Sequence, residues 1–211
     1  MEIRDEFKGM FLNNHTMHWK ERAKRVYEFL FKEDTVQSNL AFALVAFIFI
    51  KYVFLPFLGL ITGTSLPVVA VISQSMYHPE GWADDSAMCR NGPCTQTEYY
   101  AERGIDPDRF ASFPLSDGFS RGDILLLEGH TSVDVGDIVV YRVPNRYPVI
   151  HRVVEDNGDT LVLKGDNNPQ PIEQLNEYAL PKPSVEGQAY LRIPYVGYVK
   201  IFITTLLSNI T

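Results

Sequence analysis

The hydropathy pattern divides the chain into one unbroken apolar stretch and a long region of short alternating runs. From Leu40 to Ile61 the residues are apolar apart from Lys51 and a few weakly polar positions, long enough for a helix to cross a hydrocarbon core of about 30 Å. Lys51 near the middle costs roughly 2.5 to 3.5 kcal/mol on insertion, less where its stem carries the ammonium to an interface or a polar partner. Pro56 is compatible with such a helix when neighbouring groups satisfy the freed carbonyl. Many residues precede the stretch, and it carries no small-residue cleavage site, so it predicts a retained anchor over 39–62 and not a removable leader.

Beyond the anchor the period changes to two. Runs rich in β-branched residues cover Pro67 to Ser73, Asp123 to Leu127, Asp137 to Tyr141, Val149 to Val154, Thr160 to Lys164 and Ala189 to Ile193, separated by Gly, Pro and Asn. They predict a mainly β domain over 63–200. Asn157-Gly158 between two apolar runs predicts a two-residue hairpin turn. That register pairs His151 with Lys164 and places Asp166 diagonal to His151, with about 7 to 8 Å between backbones. The segment from Glu80 to Arg121, with Trp82, Tyr99, Tyr100, two cysteines and little strand patterning, reads as an inserted lobe or lid.

Thr16 to Phe31 puts Trp19, Val26, Phe29 and Leu30 near one helical face, which suits an interfacial helix or a solvated one within an N-terminal segment 1–38. The last residues, Val196 to Thr211, are apolar but too short to cross, so 201–211 is expected to lie in or dip into the membrane surface. Asn209-Ile210-Thr211 also fits a glycosylation acceptor, a common chance match.

Charge adds an orientation. The first 38 residues hold seven of the 19 Lys and Arg, and no basic residue falls between Lys51 and Arg90. The positive-inside rule therefore places the N-terminus in the cytoplasm and the β domain outside, on a single-pass protein of the cell membrane. A net charge of -7 without a clustered basic face excludes a nucleic-acid partner. Cys89 and Cys94 flank the turn sequence Arg-Asn-Gly-Pro, and a local disulfide is the expectation outside the cytoplasm, with free thiols or half a zinc site as alternatives. His15 and His18 have no companion ligands at metal spacing, so no metal is expected.

Two regions are candidates for chemistry, the plainer readings being two serines that end a strand and a packed or solvated structural histidine. Val71-Ile72-Ser73-Gln74-Ser75-Met76 ends an apolar run just after the anchor, so its hydroxyls sit near the bilayer surface; a serine nucleophile needs a base within hydrogen-bond reach. His151, with Asp166 near, supplies a base and a carboxylate to orient it. A minor alternative is Lys164 as the base. His78, close to Ser75 in sequence, reads as a turn residue.

These residues also stand in order with further motifs: Ser-Gln-Ser-Met before Pro79, Arg-Gly-Asp-Ile-Leu, Gly-Asp-Ile-Val-Val-Tyr, Ile-His-Arg-Val-Val, Lys-Gly-Asp-Asn-Asn and Ile-Pro-Tyr-Val-Gly-Tyr-Val. The series, from Ile72 to about Val199, resembles the boxes of signal peptidase I, and His151 before Arg152 resembles its archaeal and endoplasmic-reticulum branch. The resemblance implies a coiled antiparallel, barrel-like β catalytic domain with one N-terminal transmembrane helix, which removes signal peptides with small residues before the cut from exported precursors at the lipid bilayer. By position, Ser75 is the nucleophile, His151 the base and Asp166 the orienting acid. The Ser75 amide and the Ser73 hydroxyl hold the oxyanion beside Met76, and no cofactor is needed. Two residues, Tyr77 and His78, separate Met76 from Pro79 where the family usually has one, and Glu173 is the candidate for a second acid found in some relatives. The competing reading is a non-catalytic, membrane-tethered β module that binds polypeptides. A self-cleaving relative ranks below it.

Overall fold

The structure is a computed structural model that describes residues 18–79, 82–129, 132–144, 147–196 and 198. His15, residues 80 and 81 of the inserted segment, the tail 201–211 and the Asn209 acceptor lie outside the described residues. The chain forms two compact units, Met1–Leu55 and Pro56–Thr211.

In the first unit a helix covers 18–31 and leaves Trp19, Val26 and Phe31 exposed. The apolar stretch then forms one helix, Val36–Thr62, long and apolar enough to cross a membrane. It starts at Val36, three residues before the expected 39, because the Thr35 side chain accepts the Ser38 N–H and caps the first turn. The helix widens to a π turn at Ile50–Phe54, where the Leu55 N–H reaches back to the Ile50 carbonyl. The cause is local: Pro56 has no N–H to donate, and the wider turn just before it absorbs the missing bond. Lys51 lies in this turn, its Nζ 5.2 Å from the Tyr52 ring centre and 5.9 Å from that of Phe47.

The second unit holds an antiparallel sheet of seven strands that curls on itself. Its strands are β1 (Val68–Ala70), β4 (Ile124–Glu128), β5 (Ile138–Tyr141), β6 (Val149–Asp156), β7 (Thr160–Lys164), β8 (Leu180–Pro181) and β9 (Val185–Ile193), in the order β1-β4-β9-β5-β6-β7-β8. A separate hairpin joins β2 (Ala87–Cys89) to β3 (Gly92–Cys94). The mainly β expectation holds. Strand β9 begins at Val185, four residues before the expected start, because Val185 and Gly187 pair with β5.

Buried side chains form one cluster around Val71, Leu125, Ile138 and Ile150, and another around Val139, Tyr141, Val153 and Leu163. The alternation along β5 and β6 sends neighbouring residues to opposite clusters. The inserted segment has its own core of Ala87, Tyr99, Tyr100, Ile105 and Phe110, closed against Val154 and Val162. It folds as a lobe of the β2–β3 hairpin and two short helices, Gln96–Ala101 and Pro107–Ala111. The first helix is fixed by a capping box between Thr95 and Glu98, the second by Asp106 at its N-cap followed by Pro107. Cys89 and Cys94 are joined by a disulfide.

The β6–β7 hairpin differs from the sequence expectation. Asp156 pairs with Leu161 and Arg152 with Lys164, with a bulge between Val153 and Glu155. The loop is longer than two residues, with the Asn157 N–H on the Thr160 carbonyl, and the bulged Val154 packs into the lobe core. At the base of the hairpin the register is displaced by one residue, which sends each side chain of that strand to the other face. Arg152, and not His151, therefore shares a face with Lys164.

Candidate active site

After β1 the chain stays extended as far as Val71, whose N–H donates to the Asp123 carbonyl (2.9 Å), then turns through Ser73 to Met76. The turn is held by its carbonyls. Ser75 O accepts the Asn167 N–H at 2.7 Å and Met76 O accepts the Phe119 N–H at 3.0 Å. Two glycines make these approaches feasible. A Cβ on Gly165 would lie 2.8 Å from Ser75 O, and one on Gly118, at φ +67, would lie 2.5 Å from Met76 O.

The held turn presents Ser75 Oγ to His151 Nε2 at 2.9 Å, across 76 residues of sequence. Ser73 Oγ lies 3.2 Å from Ser75 Oγ. Among the described residues the Ser75 N–H has no intramolecular acceptor. His151 is buried in the middle of the sheet, and its Nδ1 meets Glu177 Oε1. Glu177 is fully buried: the Tyr141 hydroxyl donates to Oε1 at 2.5 Å and the Ile172 N–H donates to Oε2 at 2.6 Å. A short turn at Glu173–Leu175 ending in Asn176 at φ 58 folds the chain back so that Glu177 points inward. Asn accepts this left-handed conformation more readily than most residues. The arrangement is a hydroxyl, an imidazole and a carboxylate in series, which lets the imidazole accept a proton at Nε2 while the carboxylate fixes Nδ1–H.

Asp166, expected beside His151, is engaged elsewhere. It lies on the opposite face with Arg152, which donates from Nε at 3.0 and 3.1 Å and from Nη2 at 2.7 Å, and it also accepts the Tyr100 hydroxyl at 2.8 Å. His78 Nε2 completes this group, 2.8 Å from Oδ2. The displaced hairpin register is the reason: it gives Asp166 to Arg152 and leaves His151 for Glu177. Arg152 is fully buried with every guanidinium N–H used, the remainder going to the carbonyls of Pro114, Leu115 and Gly136. Burial alone would raise the Asp166 pKa, but the Arg152 guanidinium and the His78 bond hold it well below the usual carboxylate range.

Glu173 is exposed on the turn that precedes Glu177 and makes no bond to His151. Met76 is buried, with Sδ accepting the Asp166 N–H at 3.3 Å, so it anchors the turn from inside the core and does not line the cleft. Lys164 Nζ donates to Gln96 Oε1, Gly165 O and Asp166 O at 2.6, 3.1 and 3.2 Å, away from Ser75. Its acceptors and the faces of Tyr99 and Tyr100 surround it, while burial pushes its pKa down to about 7. Among the described residues no three His, Cys, Asp or Glu side chains gather at metal-ligand spacing. Sequence reasoning missed Glu177; the signal available was an acidic residue directly after Asn176, a residue suited to a reversing turn.

Ser75 and His151 open on a cleft of about 520 Å³ between Ala70–Ser73 and Tyr147–His151, closed by Phe119, Asn168, Ile172 and Leu175. Its walls are mainly apolar, with the polar groups gathered at Ser73, Ser75 and His151.

A Peptidase S24-like family model matches residues 114–188, a span that takes in His151 and Glu177 and begins after Ser75. The signal peptidase complex catalytic subunit SEC11 of Komagataella phaffii is 37% identical over 107 residues, which cover 43% of this chain and 61% of that protein. The subunits of the same name from Fusarium vanettenii and Yarrowia lipolytica are 36% and 35% identical, over 59% and 58% of their lengths. The matched part of the chain thus spans about three fifths of these relatives. No solved structure matches. The likenesses support the resemblance to signal peptidase carried by the motifs.

Proposed function

We propose that this chain, a relative of signal peptidase catalytic subunits, is a membrane-anchored serine endopeptidase that cleaves signal peptides from exported precursors. The observation that carries the reading is the 2.9 Å contact between Ser75 Oγ and His151 Nε2 at the floor of an open apolar cleft. Ser75 is the nucleophile. As Oγ attacks the scissile carbonyl, its proton passes to His151 Nε2, and Glu177 holds the imidazole by Nδ1 and stabilises its cationic form. His151 then gives the proton to the leaving amine; in the second step it takes a proton from the water that attacks the acyl carbonyl and returns it to Ser75 Oγ as the ester C–O bond breaks. The Ser75 N–H and the Ser73 hydroxyl receive the oxyanion, each donor contributing about 10² to 10³ in rate. The Val36–Thr62 helix tethers the domain at the bilayer, where the cleft receives the extended segment of a precursor, with the basic N-terminal segment on the cytoplasmic side.

The test uses the full chain in detergent or liposomes with a radiolabelled precursor. Ser75→Ala and His151→Ala abolish processing while thermal midpoint and membrane association stay at wild-type values. Full activity in either variant defeats the assignment.

A further inference from the structure

The lobe of residues 82–121 supplies no group to the reaction proposed above, and beside its contacts to Met76, Arg152, Glu155 and Arg192 it places four hydrogen bonds on one short segment, Lys164 to Pro169. Gln96 Oε1 accepts Lys164 Nζ at 2.6 Å, and Gln96 Nε2 donates to the Asn168 carbonyl at 3.1 Å. The Tyr100 hydroxyl donates to Asp166 Oδ1 at 2.8 Å, and the Met88 N–H donates to the Pro169 carbonyl at 2.8 Å. Gln96 and Tyr100 are buried, at 1% and 2% exposure, so neither bond competes with water.

The same segment grips the nucleophile turn. Asn167 donates its N–H to Ser75 O at 2.7 Å and its Nδ2 to Gln74 O at 3.2 Å, and the Asp166 N–H donates to Met76 Sδ at 3.3 Å. One layer of bonds therefore runs from the lobe to residues 164–169, and a second from there to Gln74, Ser75 and Met76. Stability alone does not call for this. The lobe has its own apolar core, and burying an amide and a phenol is costly unless each is satisfied. Both are satisfied here on the few residues that hold the serine.

We propose that the inserted lobe is a positioning device for the nucleophile, with Gln96 and Tyr100 as positioning residues that set Ser75 Oγ against His151 Nε2 through the Lys164–Pro169 segment. The inference rests on the reading of Ser75 as the nucleophile. Slackening either residue shifts the serine by a fraction of an ångström, which lowers the rate of attack and leaves substrate binding in the cleft unchanged.

Tyr100→Phe is the cleanest variant because it removes one hydroxyl and keeps the ring packed against Trp82 and Phe110. Gln96→Met is the second. Full-length wild type and variants are compared for kcat and KM on a precursor, for the rate of Ser75 labelling by a fluorophosphonate, and for amide exchange at Asn167. Expected are a loss of about 10-fold in kcat and in labelling, KM within about twofold, and faster exchange at Asn167, all read well below each variant's thermal midpoint, where the chain is folded. Rates within twofold of wild type overturn the proposal, as does a loss explained wholly by a smaller folded fraction. If wild type is labelled at Ser75 but processes no precursor, the signal peptide reading fails and the labelling ratio still judges the lobe. If Ser75 does not react at all, exchange at Asn167 decides, and unchanged exchange overturns the coupling.

Discussion

His151 Nδ1 meets the carboxylate of Glu177, which lies 26 residues further along the chain and reaches the imidazole from the opposite side to Ser75. Glu177 also binds the Tyr141 hydroxyl and the Ile172 N–H, so its position is fixed independently of the histidine. Glu177→Gln is therefore expected to keep the fold and lose kcat by a factor on the order of 10² to 10⁴, because an amide neither orients the imidazole nor stabilises its cation. The measurement is single-turnover cleavage alongside a thermal melt. Activity near wild type would remove Glu177 from the site.

Asp166→Ala is expected to act through stability. It leaves the fully buried Arg152 guanidinium without its anion, a change that typically costs about 3 to 5 kcal/mol. Chemical denaturation of the solubilised protein checks it: the unfolding midpoint drops much further for Asp166→Ala than for Glu177→Gln, which keeps one of its two acceptor oxygens. Equal midpoints with equal losses of activity would mean that Asp166 acts on the reaction directly.

The contrast between these two carboxylates marks what was legible in the sequence. Ser75 and His151 could be paired because the apolar runs fix which strands exist, and the motif order fixes their neighbours. The long apolar helix was legible from hydropathy alone, to within the three residues added by the Thr35 cap. The carboxylate that meets His151 was not, because it depends on the register of one hairpin. Asn157-Gly158 signals a tight turn, but Val154 bulges into the lobe and displaces the pairing, so tertiary packing overrode the local turn preference. Glu177 was hidden for a related reason: a reversing turn at Asn176, and no strand period, carries it back to the sheet.

The disulfide between Cys89 and Cys94 closes a loop with a sequence separation of five. Loop-closure entropy for so short a ring is worth about 2 kcal/mol at most. The double variant Cys89→Ser with Cys94→Ser is expected to fold, with an unfolding free energy from urea titration lowered by no more than that amount and with faster amide exchange at Met88, whose N–H ties the hairpin to Pro169. A chain that fails to fold without the bond would contradict this, because the apolar core of the lobe is complete around Tyr99, Tyr100 and Phe110.

Lys164 predicts a pH dependence of stability. Burial, the largest influence, lowers its folded pKa from 10.5 to about 7, against the attraction of Asp166. Between these values the unfolded chain holds a proton that the folded chain tends to release, so this residue's contribution to stability rises with pH across the window. It is complete above 10.5 and is lost as pH falls towards 7. Thermal melts at steps from pH 7 to 9 should therefore show a midpoint that climbs more steeply in wild type than in Lys164→Met, which has no proton to release. The variant should also be less stable throughout, since Gln96 Oε1 and the carbonyls of Gly165 and Asp166 lose their donor. Parallel curves would mean that Lys164 stays charged in the folded protein across this range, held by those acceptors and by the two tyrosine faces.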